Sequence, residues 1–593
     1  MSVAAPDRTL PPVEPTPLLP RLDEVPQGFR WTAIFLALNA WVMLLPASAA
    51  PWAVLPGQPA PDLPGAFGMW WLLFERGFTH ITHTRANMYP AIHDQFTAHG
   101  FPLDAFLGWP LASLFGITAA FTISVWAYLT AAGVSMAWLA GRWWKSNTAA
   151  LAGGLAYQTA NIFIREICEG RPTHLLGAAF VPLTIGLAMD ATDRGALPGG
   201  LGAGTGSSRL RRDVSAVLCG VTAACTALAY WYYGAFIIAL LVTVAAATLP
   251  ERRQLMRPIL LIILSGLTVA GLPVAYTVMA ASGHAGAELG LFSTFRIDGL
   301  WQGGRSGTLI DLLDGHDLGN AQFVFRPVLI AAAMYALRAQ RRRTLLPLVW
   351  LVVATLFAMG PVLQVWHLFA PPFALPGPFA TLGLFPLLRR FWWPDRMLFI
   401  AALGTSMLAA GGMARFALNN PRAARWATAG LVIEMWLNST HLPIDSTDLR
   451  AGDLPSQVKA LKSGNGPLLV LPFTTVEGHT NLDFFILQPL YGRPTVNGNM
   501  RPGTGVAPDA YTSLFQLEPK KGPLAALFAC EVTEEPFADE DWSTATWLKS
   551  AGVKDVYLHV ERGQKIRPNY IYCAERLLGK SEPLGPFLHY ALD

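Results

Sequence analysis

Apolar stretches of about twenty residues recur between residues 31 and 440, and they constrain the fold more than any other feature. A helix of that length crosses the ~30 Å hydrocarbon core of a bilayer. In lipid a backbone must satisfy its own N–H and C=O groups, so spanning segments are helices or closed barrels. Candidate spans fall at 31–49, 113–140, 148–165, 173–190, 214–230, 231–249, 257–281, 326–339, 344–365, 396–415 and 423–440. The residue balance agrees. The chain is 52% hydrophobic and 14% charged, whereas soluble domains carry about a quarter charged residues. Twenty tryptophans suit a protein with many membrane–water boundaries. The expectation is a polytopic α-helical membrane protein of about eleven spans.

Orientation follows from the arginines. With the N-terminus in the cytoplasm, the inside loops hold Arg142 and Lys145; Arg194, Arg209, Arg211 and Arg212; Arg252, Arg253 and Arg257; Arg338 and Arg341 to Arg343; and Arg415, Arg422 and Arg425. Every inside loop is basic, as the positive-inside rule requires. A single missed span would reverse all later loops. Residues 1–29 hold seven prolines and no apolar run, so they read as a disordered cytoplasmic tail. Ala47-Ser48-Ala49 has the small-residue spacing of a signal-peptidase site. The tail before it is long and lacks a tight basic cluster, so the first span is read as retained.

The expected organisation is the tail, a membrane domain over 30–440 with outer loops 50–112, 282–325 and 366–395, and an extracytoplasmic α/β domain over 441–593. In that last part "GPLLVLPF" and "VKDVYLHV" read as strands, and "TATWLKSAG" as a helix ending at glycine. Cys530 and Cys573 both fall there and could form a disulfide if the compartment is oxidising. No zinc-type Cys/His spacing and no P-loop occurs, which argues against an ATP-driven pump within the chain. The net charge of +4 gives no sign of nucleic-acid binding.

The order of parts resembles the GT-C superfamily of integral-membrane glycosyltransferases, especially the bacterial YfhO-like group. The stretches that carry the resemblance are "DLPGAFGMWWLLFERGFTHITHTRANMYPAIHD", "PLDAFLGWPLASLFGITAA", "EGRPTHLLGAAFVPLTIGLAMDA", "LPGPFATLGLFPLLRRFWWPDRMLFIAALGTSMLAAGG" and "LLVLPF … YGRPTVNG … AGVKDVYLHV". Each motif is loose; their order from about residue 31 to 560 is the signal. The chain departs from the family pattern twice. Asp62 stands alone where a paired acid is common, and Trp392 stands where a first arginine would be, with Arg389 and Arg390 just upstream.

The resemblance implies transfer of a sugar from a polyprenyl-phosphate donor to a cell-envelope glycan or lipid acceptor, at the outer face of the inner (cytoplasmic) membrane. Such a reaction needs a carboxylate to take the acceptor's proton and cations to hold the departing phosphate. Asp62, at the start of the first outer loop, fits the base; it could equally cap a helix starting near Gly65. Asp94 is the second candidate. It could orient the acceptor, or a divalent cation should the reaction use one, or be a solvated loop acid. No further cofactor is implied. His80 and His83 make a weak metal signal, and no metal ligand is assigned. Arg396, Arg389 and Arg390 are candidate phosphate ligands, with snorkelling and pairing to Asp395 as the alternative for Arg396. Arg171 and His174 could join them, and Glu169 could simply pair with Arg171. Tyr230, Trp231, Tyr232 and Tyr233 read as an interfacial belt or, less readily, a sugar-stacking surface. The competing class is a non-enzymatic membrane protein, such as a lipid-linked glycan transporter or assembly factor. It predicts mid-span ionisable residues and internal repeats. Little mid-span charge and no repeat are evident in the sequence.

Overall fold

The computed structural model describes residues 25–58, 62–77, 89, 101–192, 206–247, 252–282, 326–358, 362–363, 375–376, 394–437, 442–473, 483–497, 513–515, 522–532 and 543–592. Helices stand wherever the apolar stretches do. They are α1 (Phe29–Met43), α2 (Asp62–Arg76), α3 (Leu103–Phe115), α4 (Ile117–Trp144), α5 (Asn147–Gln158), α6 (Asn161–Cys168), α7 (Pro172–Ala191), α8 (Gly206–Ala229), α9 (Trp231–Ala247), α10 (Arg252–Ser282), α11 (Pro327–Ala339), α12 (Arg341–Ala358), α13 (Leu398–Asn419) and α14 (Pro421–Leu437). Among the described residues, five stretches are long and apolar enough to cross a bilayer by themselves: Ile117–Trp144, Pro172–Ala191, Arg209–Ala229, Met256–Tyr276 and Leu398–Asn419. The helices Phe29–Met43, Leu103–Phe115, Tyr232–Ala247 and Pro327–Ala339 are apolar but shorter. Ile259, Leu260, Ile263, Leu264 and Leu267 on α10 are exposed. An apolar face of that length suits lipid rather than water.

The expected span at 148–165 is broken. α5 stops at Gln158 and α6 starts at Asn161, with Ala160 in an extended conformation between them. The carbonyl of Thr159 at the break accepts a hydrogen bond from Arg326 Nη2 at 3.0 Å. Polar side chains also serve the packed helices. Gln158 donates through Nε2 to the Leu36 and Leu129 carbonyls, and Asn39 Nδ2 donates to Gln158 Oε1. Glu434, inside the last apolar stretch, is buried and accepts from the Val328 and Leu329 amides at 2.6 and 3.0 Å. It therefore caps the N-terminus of α11.

Beyond α14 the chain returns to the first outer loop. Strand β1 (Val54–Pro56) pairs antiparallel with β2 (Ser446–Asp448). The two strands lie side by side, so an even number of crossings separates them, and the expected spans put ten there. A second unit follows, with a four-stranded mixed sheet. Its strands are β3 (Leu468–Leu471), β4 (Asp555–His559), β5 (Glu582–Leu584) and β6 (Phe587–Ala591), in the order β3-β4-β6-β5. The β3–β4 pair is parallel and the others antiparallel. Its helix Asp483–Tyr491 lies against α2, and Ile486 joins the membrane-side core. Cys530 and Cys573 are bonded, with Cα atoms 6.0 Å apart.

Candidate active site

The segment "NIFIREICEGRPTH" builds the centre of the site. In α6, Ile162, Phe163 and Glu166 recur at helical spacing and share a buried face. Glu166 is therefore carried into the interior with the apolar residues. Arg165 and Glu169, four apart, form a pair with Nε to Oε1 at 3.8 Å. Gly170 then turns the chain with φ +76°, and Pro172 starts α7 in its first turn. His174 lies one turn into α7 and is buried.

Four groups converge on the Glu166 carboxylate. Arg396 Nη1 pairs with Oε1, and Arg165 Nη2 lies 3.3 Å from the same oxygen. Arg171 Nη1 donates to Oε2 at 3.2 Å, and His174 Nδ1 lies 2.6 Å from Oε2. Toward an ionised Glu166, which only accepts, His174 would present its proton on Nδ1. Arg171 also pairs with Glu169. Burying a carboxylate costs several kcal/mol unless it is paired and hydrogen-bonded; here each oxygen has two partners. Arg396 comes from the 3-10 turn Pro394–Met397 that leads into α13, and it is only 3% exposed. It does not snorkel to water.

Aromatic rings wall the cluster. His174 and Tyr230 rings are 3.9 Å apart between centroids, and the Arg396 guanidinium lies 6.0 Å from the Tyr230 ring centre. Tyr233 is fully buried against Phe399, at 4.1 Å. Tyr230 and Tyr233 thus turn inward onto the cluster and Tyr232 is buried, instead of forming a belt toward lipid. A further acid lies close by. Asp104, at the start of α3, is 2% exposed and accepts from Trp70 Nε1 at 2.9 Å. Burial pushes its carboxyl above the usual range; the Trp70 hydrogen bond and the charge of His174 act the other way.

The structure brings Arg396, Arg171 and His174 together. Asp62 begins α2, three residues earlier than the expected start near Gly65. The next residue, Leu63, is seated on Gly170: a Cβ placed on Gly170 would fall 2.3 Å from the Leu63 Cα. The start of α2 therefore meets, through Leu63, the connector between α6 and α7 that carries Glu169 and Arg171. Asp94, Arg389, Arg390, His80 and His83 lie outside the described residues. The sequence reading missed Glu166. Its signal was an acid in step with Ile162 and Phe163 on one helical face. Among the described residues no three His, Cys, Asp or Glu side chains gather as a metal site. Among the described residues the cluster joins Arg165, Arg171 and Arg396 to Glu166 and Glu169.

No protein-family model matches the sequence, and no curated protein does. Solved structures match along nearly the whole chain. ArnT from Cupriavidus metallidurans in the apo state superposes with a TM-score of 0.53 at 13% identity, over 95% of this chain and 98% of that one. The same protein bound to undecaprenyl phosphate gives 0.51 at 12% identity with the same coverage. An oligosaccharyltransferase from Archaeoglobus fulgidus, tethered by a disulfide to an acceptor peptide containing the NVT sequon, gives 0.50 at 13% identity. That match covers 94% of this chain and 73% of the other. Both proteins are GT-C superfamily membrane glycosyltransferases. At such identities the likeness speaks for the fold alone: this chain shares the fold of these two proteins.

Proposed function

We propose that this GT-C fold houses a glycosyltransferase that moves a sugar from a polyprenyl-phosphate donor to an acceptor hydroxyl at the outer face of the membrane. The supporting observation is the meeting of two distant parts of the chain. Leu63, the residue after Asp62, packs on Gly170 of the connector that follows Glu166, and Glu166 gathers Arg396, Arg171 and His174. In the reaction the acceptor oxygen bonds to the sugar's anomeric carbon as the bond from that carbon to the phosphate oxygen breaks. Asp62 takes the hydroxyl proton. The leaving phosphate gains charge, which Arg396 and Arg171 stabilise. Glu166 holds the two guanidiniums in place, so less ordering remains when the phosphate arrives. Binding of undecaprenyl phosphate by the similar ArnT structure points to a polyprenyl-phosphate lipid as the donor class here.

The test is a transfer assay on purified protein with a polyprenyl-phosphate sugar and a set of lipid and glycan acceptors. Wild type is expected to transfer. Arg396→Lys keeps the charge but loses the planar fork, so the donor KM should rise by about tenfold. Unchanged donor KM in a folded Arg396→Lys protein would count against a phosphate-binding role.

A further inference from the structure

We infer that Arg326 and Asn161 are positioning residues for Glu166, acting at the break between α5 and α6; this rests on the transferase reading above. A helix break leaves orphan carbonyls on one side and orphan amides on the other. Here Thr159 Oγ1 donates to the Leu155 carbonyl at 2.8 Å, and the Ala160 carbonyl accepts from the Phe163 amide at 2.9 Å. The Thr159 carbonyl and the Asn161 side chain meet the same partner. Arg326 Nη2 donates to that carbonyl at 3.0 Å and to Asn161 Oδ1 at 2.7 Å. One nitrogen thus ties the end of α5 to the start of α6. Arg326 is itself fixed to α14. The Val328 and Leu329 amides that follow it donate to Glu434, and Arg326 Nη1 lies 3.4 Å from Met435 Sδ.

The consequence is geometric. α6 has eight residues, too few to hold a helix without tertiary contacts. Its Phe163 ring packs on Tyr157 of α5, with centroids 4.8 Å apart. The Arg326 bridge adds a polar tie at the first residue of α6. Glu166 lies on the same helix, about 7.5 Å further along its axis. A tilt of α6 by about 10° from its start would move that carboxylate by about 1 Å. Arg396, Arg171 and His174 all meet there. The bridge therefore acts on the phosphate-binding arginines through Glu166, without touching substrate.

The experiment compares wild type, Asn161→Ala and Asn161→Asp as full-length protein. Alanine removes the acceptor on α6 but leaves Arg326 its bond to Thr159, and it favours helix, so the fold is kept. Aspartate restores an acceptor of the same shape. Amide exchange of a peptide covering 161–170 should speed up about fivefold in Asn161→Ala. Donor KM should rise about fivefold with acceptor KM within twofold, and aspartate should restore both the exchange and the donor KM. Unchanged exchange would overturn the proposal. So would faster exchange with unchanged donor KM, or a loss that aspartate does not rescue. Absence of transfer in wild type would count against the transferase reading alone, because the exchange comparison needs no substrate.

Discussion

At the scale of single residues, the site turns on a carboxylate that the sequence did not announce. Arg396, Arg171 and His174 were legible because positive charge is sparse in the outer segments and each stands at the edge of an apolar stretch. Glu166 was not, because it lies among charged neighbours of both signs and reads as one more surface acid. Only its register with Ile162 and Phe163 distinguishes it from Glu169. The two glutamates should therefore respond differently to the same change. Glu166 is fully buried, while the Glu169 side chain is 27% exposed. Glu166→Gln removes the buried carboxylate that joins Arg396 to Arg171 and weakens the pairing of the buried Arg396 guanidinium. It should lower stability by about 3–5 kcal/mol. Glu169→Gln should change it by less than about 1 kcal/mol. Thermal melts of the two variants in one detergent would check this, and equal shifts would refute the difference in role.

At the scale of elements, hydropathy located the helices but not their interruptions. A span at 148–165 is a fair reading of an apolar run, yet Arg326 from a distant segment supplies the hydrogen bond that lets the helix break at Thr159. No local pattern encodes that partner. Glu434 is similar: within the sequence it is a lone acid in an apolar stretch, and only the fold reveals the α11 N-terminus it caps. The C-terminal strands at 468–471 and 555–559 and the helix Ser543–Ser550 were legible from alternation and from Gly552. The Cys530–Cys573 bond, open in the sequence, is formed, and it joins the helices Ala525–Val532 and Tyr570–Leu578 across a separation of 43 residues. Replacing both cysteines by serine should destabilise this unit by about 2–4 kcal/mol, read as a lower midpoint in denaturant. Peptide mapping without reductant should recover the linked pair, and two free thiols in oxidised protein would contradict it.

At the scale of the whole molecule, hydropathy was enough to foresee a largely helical chain with several membrane-length apolar helices and a C-terminal α/β part, and the order of loose motifs pointed to the fold it shares with ArnT. What they could not supply was the closure of the chain on itself, in which β1 meets β2 and α2 meets Gly170. Those contacts join segments far apart in the chain. With an even number of crossings between β1 and β2, the proposed orientation puts the cytoplasm at Arg343 and the outside at the C-terminus. Reporter fusions after Arg343 and after Asp593 should therefore report opposite sides, and the same side for both would remove the topology. The central claim is that Asp62 stands at this closure as the base of a sugar transfer. Its most direct measurement is the transfer rate of Asp62→Asn beside wild type, at matched amounts of folded protein with saturating donor and acceptor. Asparagine keeps the size and capping ability of the acid but cannot take the proton. The account predicts a fall in kcat of about 10² or more with an unchanged melting temperature. An Asp62→Asn protein that transfers at the wild-type rate would contradict it.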